Sequence, residues 1–174
     1  LEWDRDQQKQ NAKEYRQEEK KQIKEMLKTE FGAFKNDTTV KEYKEEGYKK
    51  FQLKVGGEYQ EDIERITSVS SILDSNNILV ADANTGWKSH EALKVIKKTA
   101  NLDVYIEQPC ETYRDCVVVR KKTTNPFILD ESIDSINNFL HAYNDGAMDI
   151  INLKISKLGG LFKSKQLRDL CVEL

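Results

Sequence analysis

Few of the residues that usually announce a site occur in this chain. Histidine appears twice, proline twice and cysteine three times. Cys110, Cys116 and Cys171 are odd in number and fit neither a disulfide framework nor a zinc spacing, which favours a reducing, cytoplasmic setting. His90 and His141 lie in polar helical stretches without a nucleophile or metal spacing beside them, so both are expected at the surface. No run approaches the ~20 apolar residues that span a bilayer, and the polar start of the chain lacks a signal-peptide core, which argues against a membrane role. Basic charge is not in excess: 28 Lys and Arg stand against 30 Asp and Glu, for a net charge of -2. The footprint of a nucleic-acid partner is therefore missing. Neither a GxGxxG run nor a P-loop is present to cradle phosphate.

What the chain does have is a rhythm. Three short apolar runs each end in an acid: Ile78-Leu-Val-Ala-Asp82, Val104-Tyr-Ile-Glu107 and Phe127-Ile-Leu-Asp130. The acids are 25 and 23 residues apart, and the interval continues 24 residues on to Lys154 and 28 residues back to Lys54. One buried strand plus one helix and two loops accounts for that repeat. A length of 174 residues suits one domain or part of a larger one, and a chain opening on Leu1 is expected to be a fragment.

Taken in order, residues 1 to about 22 interleave Lys, Glu, Gln and Arg, as in a solvated helix or a disordered arm. Ile23, Met26, Leu27, Phe31 and Phe34 then follow helical spacing, with Gly32 near the end of that helix. Docking on its own domain is the plainer use of such a stripe, and a partner-binding helix the sharper one. This charged extension is assigned to residues 1–37, and the repeating domain to 38–174. Thr39 with Glu42 forms a capping-box pattern, and Gly47 precedes a strand over 48–55. Helices are predicted near 62–73, around Ala92 to Ile96, over 113–121 and 135–143, and after Gly159-Gly160, with strands at 78–82, 103–107, 127–130 and 150–154. Continuous apolar runs imply strands covered on both faces, hence a parallel α/β sheet, either doubly wound or a (β/α) barrel. Both architectures place ligands at the C-terminal ends of the strands, where all five charges fall.

Carboxylates gathered there repel one another and need a positive partner. A set of hard oxygen donors without His or Cys suits Mg²⁺, with Mn²⁺ as a substitute, and disfavours zinc. Beside an ion that holds a substrate carboxylate, a lysine of lowered pKa is suited to removing the adjacent carbon-bound proton. A phosphoacceptor built on Asp82 with Lys154 would leave Glu107 and Asp130 without a role. Trp87 and Cys110 follow the charged runs and serve packing or the site equally well. Lys157, off the strand end, is read as supporting or solvated.

Gln52-Leu-Lys54-Val-Gly56, Ala-Asp82-Ala-Asn84, Ile-Glu107-Gln-Pro109, Leu-Asp130-Glu-Ser132 and Asn152-Leu-Lys154-Ile-Ser-Lys-Leu-Gly-Gly160 together resemble the enolase superfamily, in its mandelate racemase and muconate lactonizing branch. The resemblance covers roughly residues 39–174 and implies a partial (β/α) TIM-type barrel, about strands two to six of eight, with no recognisable first strand or capping domain. It implies that Asp82, Glu107 and Asp130 bind Mg²⁺, that Lys54 and Lys154 are acid/base groups on opposite faces of the substrate, and that Gln52 and Asn84 lie beside it. Phe51-Gln-Leu-Lys-Val-Gly-Gly57 and Ile106-Glu-Gln-Pro-Cys110 are similar to the cis-3-hydroxy-L-proline dehydratase group. The branch commonly has a lysine where Gln52 stands, so one charge near the substrate carboxylate is lost. The expected partner is a small carboxylate or amino-acid substrate; self-association as a homo-oligomer is compatible with the sequence. An inactive barrel fragment acting as an interaction or scaffold protein is the alternative.

Overall fold

The structure, a computed structural model, describes residues 32–34 and 37–174. The polar arm and the stripe from Ile23 to Phe31 lie outside the described residues. Among those described, six strands form one sheet in the order β1-β2-β3-β4-β5-β6, every neighbouring pair parallel. They are β1 (Gly32–Phe34), β2 (Lys50–Lys54), β3 (Ile78–Asp82), β4 (Tyr105–Glu107), β5 (Phe127–Leu129) and β6 (Ile150–Ile151). Between them run α1 (Asp37–Glu45), α2 (Tyr59–Ile72), α3 (Ser89–Thr99), α4 (Tyr113–Arg120) and α5 (Ile136–Asn144). After β6 come the single turn α6 (Ile155–Leu158) and α7 (Leu161–Glu173). Sequential strand order with a helix in each crossover is the connectivity of a (β/α) barrel, here in part.

Three expectations change. Gly32–Phe34 is a strand paired with Phe51–Leu53, not the end of a helix, so a first strand does exist. A three-residue strand has little pattern of its own; its neighbour β2 defines it. The second change concerns β2 itself, which alternates rather than running apolar throughout: Phe51 and Leu53 are buried, while Lys50, Gln52 and Lys54 are not. Helix α1 also opens at Asp37, two residues before the capping pattern at Thr39.

Strand pleating sorts the residues into two faces. Phe51, Leu53, Leu79, Ala81, Ile106, Phe127 and Leu129 pack with Ile66, Val69, Val95, Ile96 and Val119 of the helices into one core. Gln52, Lys54, Asp82 and Glu107 take the other face. No helix among the described residues is long and apolar enough to cross a membrane. Cys110 and Cys116 are buried thiols, and no disulfide occurs.

Backbone segments cross closely just above β2 and β3. Gly56 adopts a left-handed φ of 96°, and a Cβ there would sit 2.1 Å from the Ala83 carbonyl oxygen. A Cβ on Gly86 would come equally close, 2.1 Å, to the Gly56 carbonyl oxygen. Either Gly56→Ala or Gly86→Ala is therefore expected to cost at least ~2 kcal/mol in urea unfolding; a loss under about 0.5 kcal/mol would show that the backbones do not meet.

Candidate active site

Register brings the charges together. Lys54 pairs with Asp82 and Asp82 with Glu107, so these three stand level across β2, β3 and β4. The next step staggers: Glu107 is level with Ile128, and Asp130 lies two residues beyond it on the same face. Lys154 sits further out than expected. β6 ends at Ile151, and Lys154 is the residue immediately before α6 rather than the last of a strand.

Asp82, Glu107 and Asp130 are all at most 2% exposed. Each carries a distinct set of donors. Lys54 Nζ donates to Asp82 Oδ2 and, at 2.9 Å, to Asn84 Oδ1. Gln52 Nε2 donates to Asp82 Oδ2 at 2.9 Å and to Glu107 Oε2 at 3.0 Å. Asn152 Nδ2 reaches the other oxygen of Glu107 at 2.9 Å. Lys154 Nζ donates to Asp130 Oδ2, and Lys157 Nζ to Asp130 Oδ1 at 2.6 Å. Lys157 is thus in direct contact with the acid row, not solvated. Gln52 and Asn84, expected beside a substrate, here tie site residues to one another. His90 and His141 are exposed, as the sequence leads one to expect.

The surrounding loops fix these groups. Gln108, fully buried and at a left-handed φ of 35°, accepts from the backbone N–H of Asp130 at 3.0 Å and of Ser132 at 3.2 Å. Its amide donates to Ser132 Oγ at 2.8 Å, which locks the turn that aims Asp130. Asp62, in the first turn of α2, takes the N–H groups of Gly56 (2.8 Å) and Gly57 (2.9 Å) and the indole N–H of Trp87 (3.0 Å) on a single oxygen. Trp87 is therefore a buried strut, not a site wall. Asn84, at a left-handed φ of 43°, donates to Glu131 Oε1 at 3.2 Å, linking the loops after β3 and β5. Sequence reasoning singled out neither Gln108, Asp62, Asn152 nor Glu131. Only Asp62 left a signal, as an acid in the first turn of a helix following a Gly-Gly turn.

Electrostatics divide the site. Burial pushes the Glu107 carboxyl up; amide bonds from Asn152 and Gln52 pull it back in part, while the charges of Asp82 and Asp130 raise it further. Burial pulls the Lys154 ammonium down, but its bond to Asp130 with the charges of Asp130, Glu131 and Glu107 outweighs that, and its pKa rises. A lysine of lowered pKa is thus not what Lys154 is while it rests on Asp130. For Glu107 the native chain binds the proton more tightly than the unfolded chain does. The associated stability is present below the ordinary carboxylate pKa and is lost as pH climbs through the raised native value. Urea unfolding of the metal-free chain from about pH 4 to pH 7 should therefore show a downward trend that Glu107→Gln lessens; identical slopes would refute the shift.

The donor chemistry fits a hard divalent cation: three buried carboxylates at neighbouring strand ends, with no nitrogen or sulfur ligand among them. Among the described residues, however, no three acidic, His or Cys side chains converge as a ready-made ion site. Their oxygens are turned instead to ammonium groups, which supply the compensating positive charge, and to neutral amide donors. Lys54 and Lys154 are 42% and 40% exposed at the side chain, so each has solvent into which to swing. A cavity of about 240 Å³ opens beside Glu107, lined by Gln52, Ile128, Ile150, Ile151 and Asn152.

Known proteins resemble this chain in sequence and fold. The chain is 54% identical over 133 residues to a cis-3-hydroxy-L-proline dehydratase of Roseibium aggregatum, across 76% of this chain and 36% of that one. It is 30% identical to an N-succinyl-L-Arg/Lys racemase of Bacillus cereus, across 71% of this chain and 34% of the relative. The chain thus spans about a third of the length of these curated relatives. A crystal structure of a mandelate racemase/muconate lactonizing enzyme from Roseovarius nubinhibens superposes with a TM-score of 0.76 at 33% identity, covering 82% of this chain and 41% of that one. An enolase-superfamily member from the same organism, complexed with magnesium, superposes with a TM-score of 0.76 at 28% identity, over 82% of this chain and 40% of its own. The family described as enolase C-terminal domain-like matches residues 36–174. With its sheet order, its strand-end charges and these relatives in agreement, the chain belongs to the enolase superfamily, in the mandelate racemase and muconate lactonizing branch.

Proposed function

We propose that this site abstracts a proton α to a carboxylate in a Mg²⁺-dependent reaction, leading to dehydration or epimerisation of a small proline-type amino acid or hydroxy acid. One observation carries the reading: Lys54 and Lys154 approach a buried carboxylate row from its two ends, each with its ammonium on a different aspartate. Asp82, Glu107 and Asp130 would hold the ion. Bound there, Mg²⁺ would supply positive charge against the substrate carboxylate as the α-carbon loses its proton.

Released from its aspartate and neutral, one lysine takes that proton. The other, still protonated, returns a proton on the far side. In epimerisation it goes to the opposite face of the same carbon; in dehydration it goes to the departing β-hydroxyl, which leaves as water. Gln52, an amide on the branch's usual lysine position, would hydrogen-bond a substrate carboxylate oxygen without adding charge, and Asn84 would hold Lys54 in line. The proline-type substrate rests on the relative named as a cis-3-hydroxy-L-proline dehydratase.

Incubation of the full chain with cis-3-hydroxy-L-proline and Mg²⁺ in D₂O should place deuterium at the α-carbon or release water across the α,β-bond, as read by NMR. Lys54→Met and Lys154→Met should each slow this at least ~100-fold, and EDTA should abolish it. No exchange from a sample that unfolds cooperatively would count against the reading. A second reading, an inactive partial barrel serving as an interaction unit, is favoured by the exposure of Leu161, Phe162 and Val172 on α7. Persistent self-association without any exchange would support it.

A further inference from the structure

The positive charge around the acid row is unevenly spread. Asp82 receives one ammonium, from Lys54, with amide donors from Gln52 and the Asn84 backbone at 3.0 Å. Glu107 is met by two amides, Gln52 and Asn152. Asp130 alone receives two ammonium groups, one on each oxygen. A single carboxylate cannot neutralise both, so the second ammonium also offsets the row as a whole, in which Glu107 has no ammonium of its own.

The two lysines also differ in freedom. Lys154 precedes α6 and its side chain is 40% exposed, whereas Lys157 lies within α6 and is 25% exposed. Its helix is anchored by buried Leu158 and closed by Gly159 in the left-handed region. Lys157 is thus the partner that stays.

We infer that Lys157 is a resident counter-cation of the site: it holds Asp130 when Lys154 leaves for the substrate, and it competes with the divalent ion for the same carboxylate, setting how tightly that ion binds. The inference rests on the metal reading given above and goes beyond it. Lys157 acts through Asp130 and is a positioning residue. An ammonium 2.6 Å from a ligand oxygen raises the local potential that an incoming cation meets, in a pocket where water screens poorly. It also means that Asp130 is never left as a bare buried charge, so Lys154 is released at lower cost.

The test is Mg²⁺ titration of the full chain by calorimetry, with no substrate present. Lys157→Met keeps the aliphatic stem and removes the charge; its Mg²⁺ dissociation constant should fall by about tenfold. Lys157→Arg keeps the charge and should stay within about twofold of the parent. In EDTA, Lys157→Met should melt below the parent, and saturating Mg²⁺ should raise its melting temperature by more than it raises the parent's. If Lys157→Met does not fold, Lys157→Gln carries the same comparison. Equal or weaker Mg²⁺ binding by the folded neutral variant would overturn the inference while leaving the metal reading standing. Absence of Mg²⁺ binding by the parent itself would overturn both.

Discussion

Three carboxylates buried at the ends of adjacent parallel strands are the constraint on which the rest of this molecule turns. Each would be prohibitively costly as an isolated charge in the interior, and together they repel. The chain answers with ammonium groups from both sides and with amides between them. Lys54 arrives from β2, Lys154 and Lys157 from the segment after β6, and Gln52 and Asn152 bridge to the central glutamate. That answer is local to one face of the sheet. The opposite face of the strands is apolar, and the helices pack on it through the hydrophobic core.

Holding such groups in place requires backbone that ordinary strands do not provide. Asn84, Thr85 and Gln108 all take positive φ without being glycine, and all follow a strand that ends in an acid. Such residues persist where surrounding contacts over-determine them. Here the contacts are visible: Thr85 N–H meets the Gln108 carbonyl at 2.9 Å, and Trp87 N–H meets that of Pro109 at 3.1 Å. The loops after β3 and β4 are zipped together, while Asp62 ties the first of them down to the turn after β2. The loops that follow Asp82 and Glu107 are therefore held by backbone contacts, while the side chains of Lys54 and Lys154 have solvent into which to move.

Much of this was legible in the sequence, for identifiable reasons. Val80, Ala81, Ile106, Phe127 and Leu129 mark their strands because buried runs have few alternatives, and the acid after each run marks the end from which ligands are reached. Strand β1 was not legible, since Gly-Ala-Phe says little until β2 is beside it. The short reach of β6 was missed for a related reason: Asn152-Leu-Lys continues an apolar-looking run, but the chain leaves the sheet after Ile151 to begin a helical turn. That turn also hid Lys157, since three residues apart is opposite faces on a strand and one face on a helix. Gln108 and Asp62 act on residues far along the chain, and no local pattern encodes that. Membership of the family was carried by the combination of charged strand ends, and the relatives bear it out.

The parallel register has a further meaning for how such a chain diversifies. Side chains on a strand alternate with a period of two, so a one-residue slip within β3 would send Asp82 to the helix side and its apolar neighbours to the acid side. Insertions in the helices or the loops would leave the ladder untouched. The strands act as a fixed scale on which the charged groups are marked, while everything between the marks can lengthen or change. Proteins named as a dehydratase, a racemase, epimerases and a synthase are all similar in sequence to this one stretch of strands and helices.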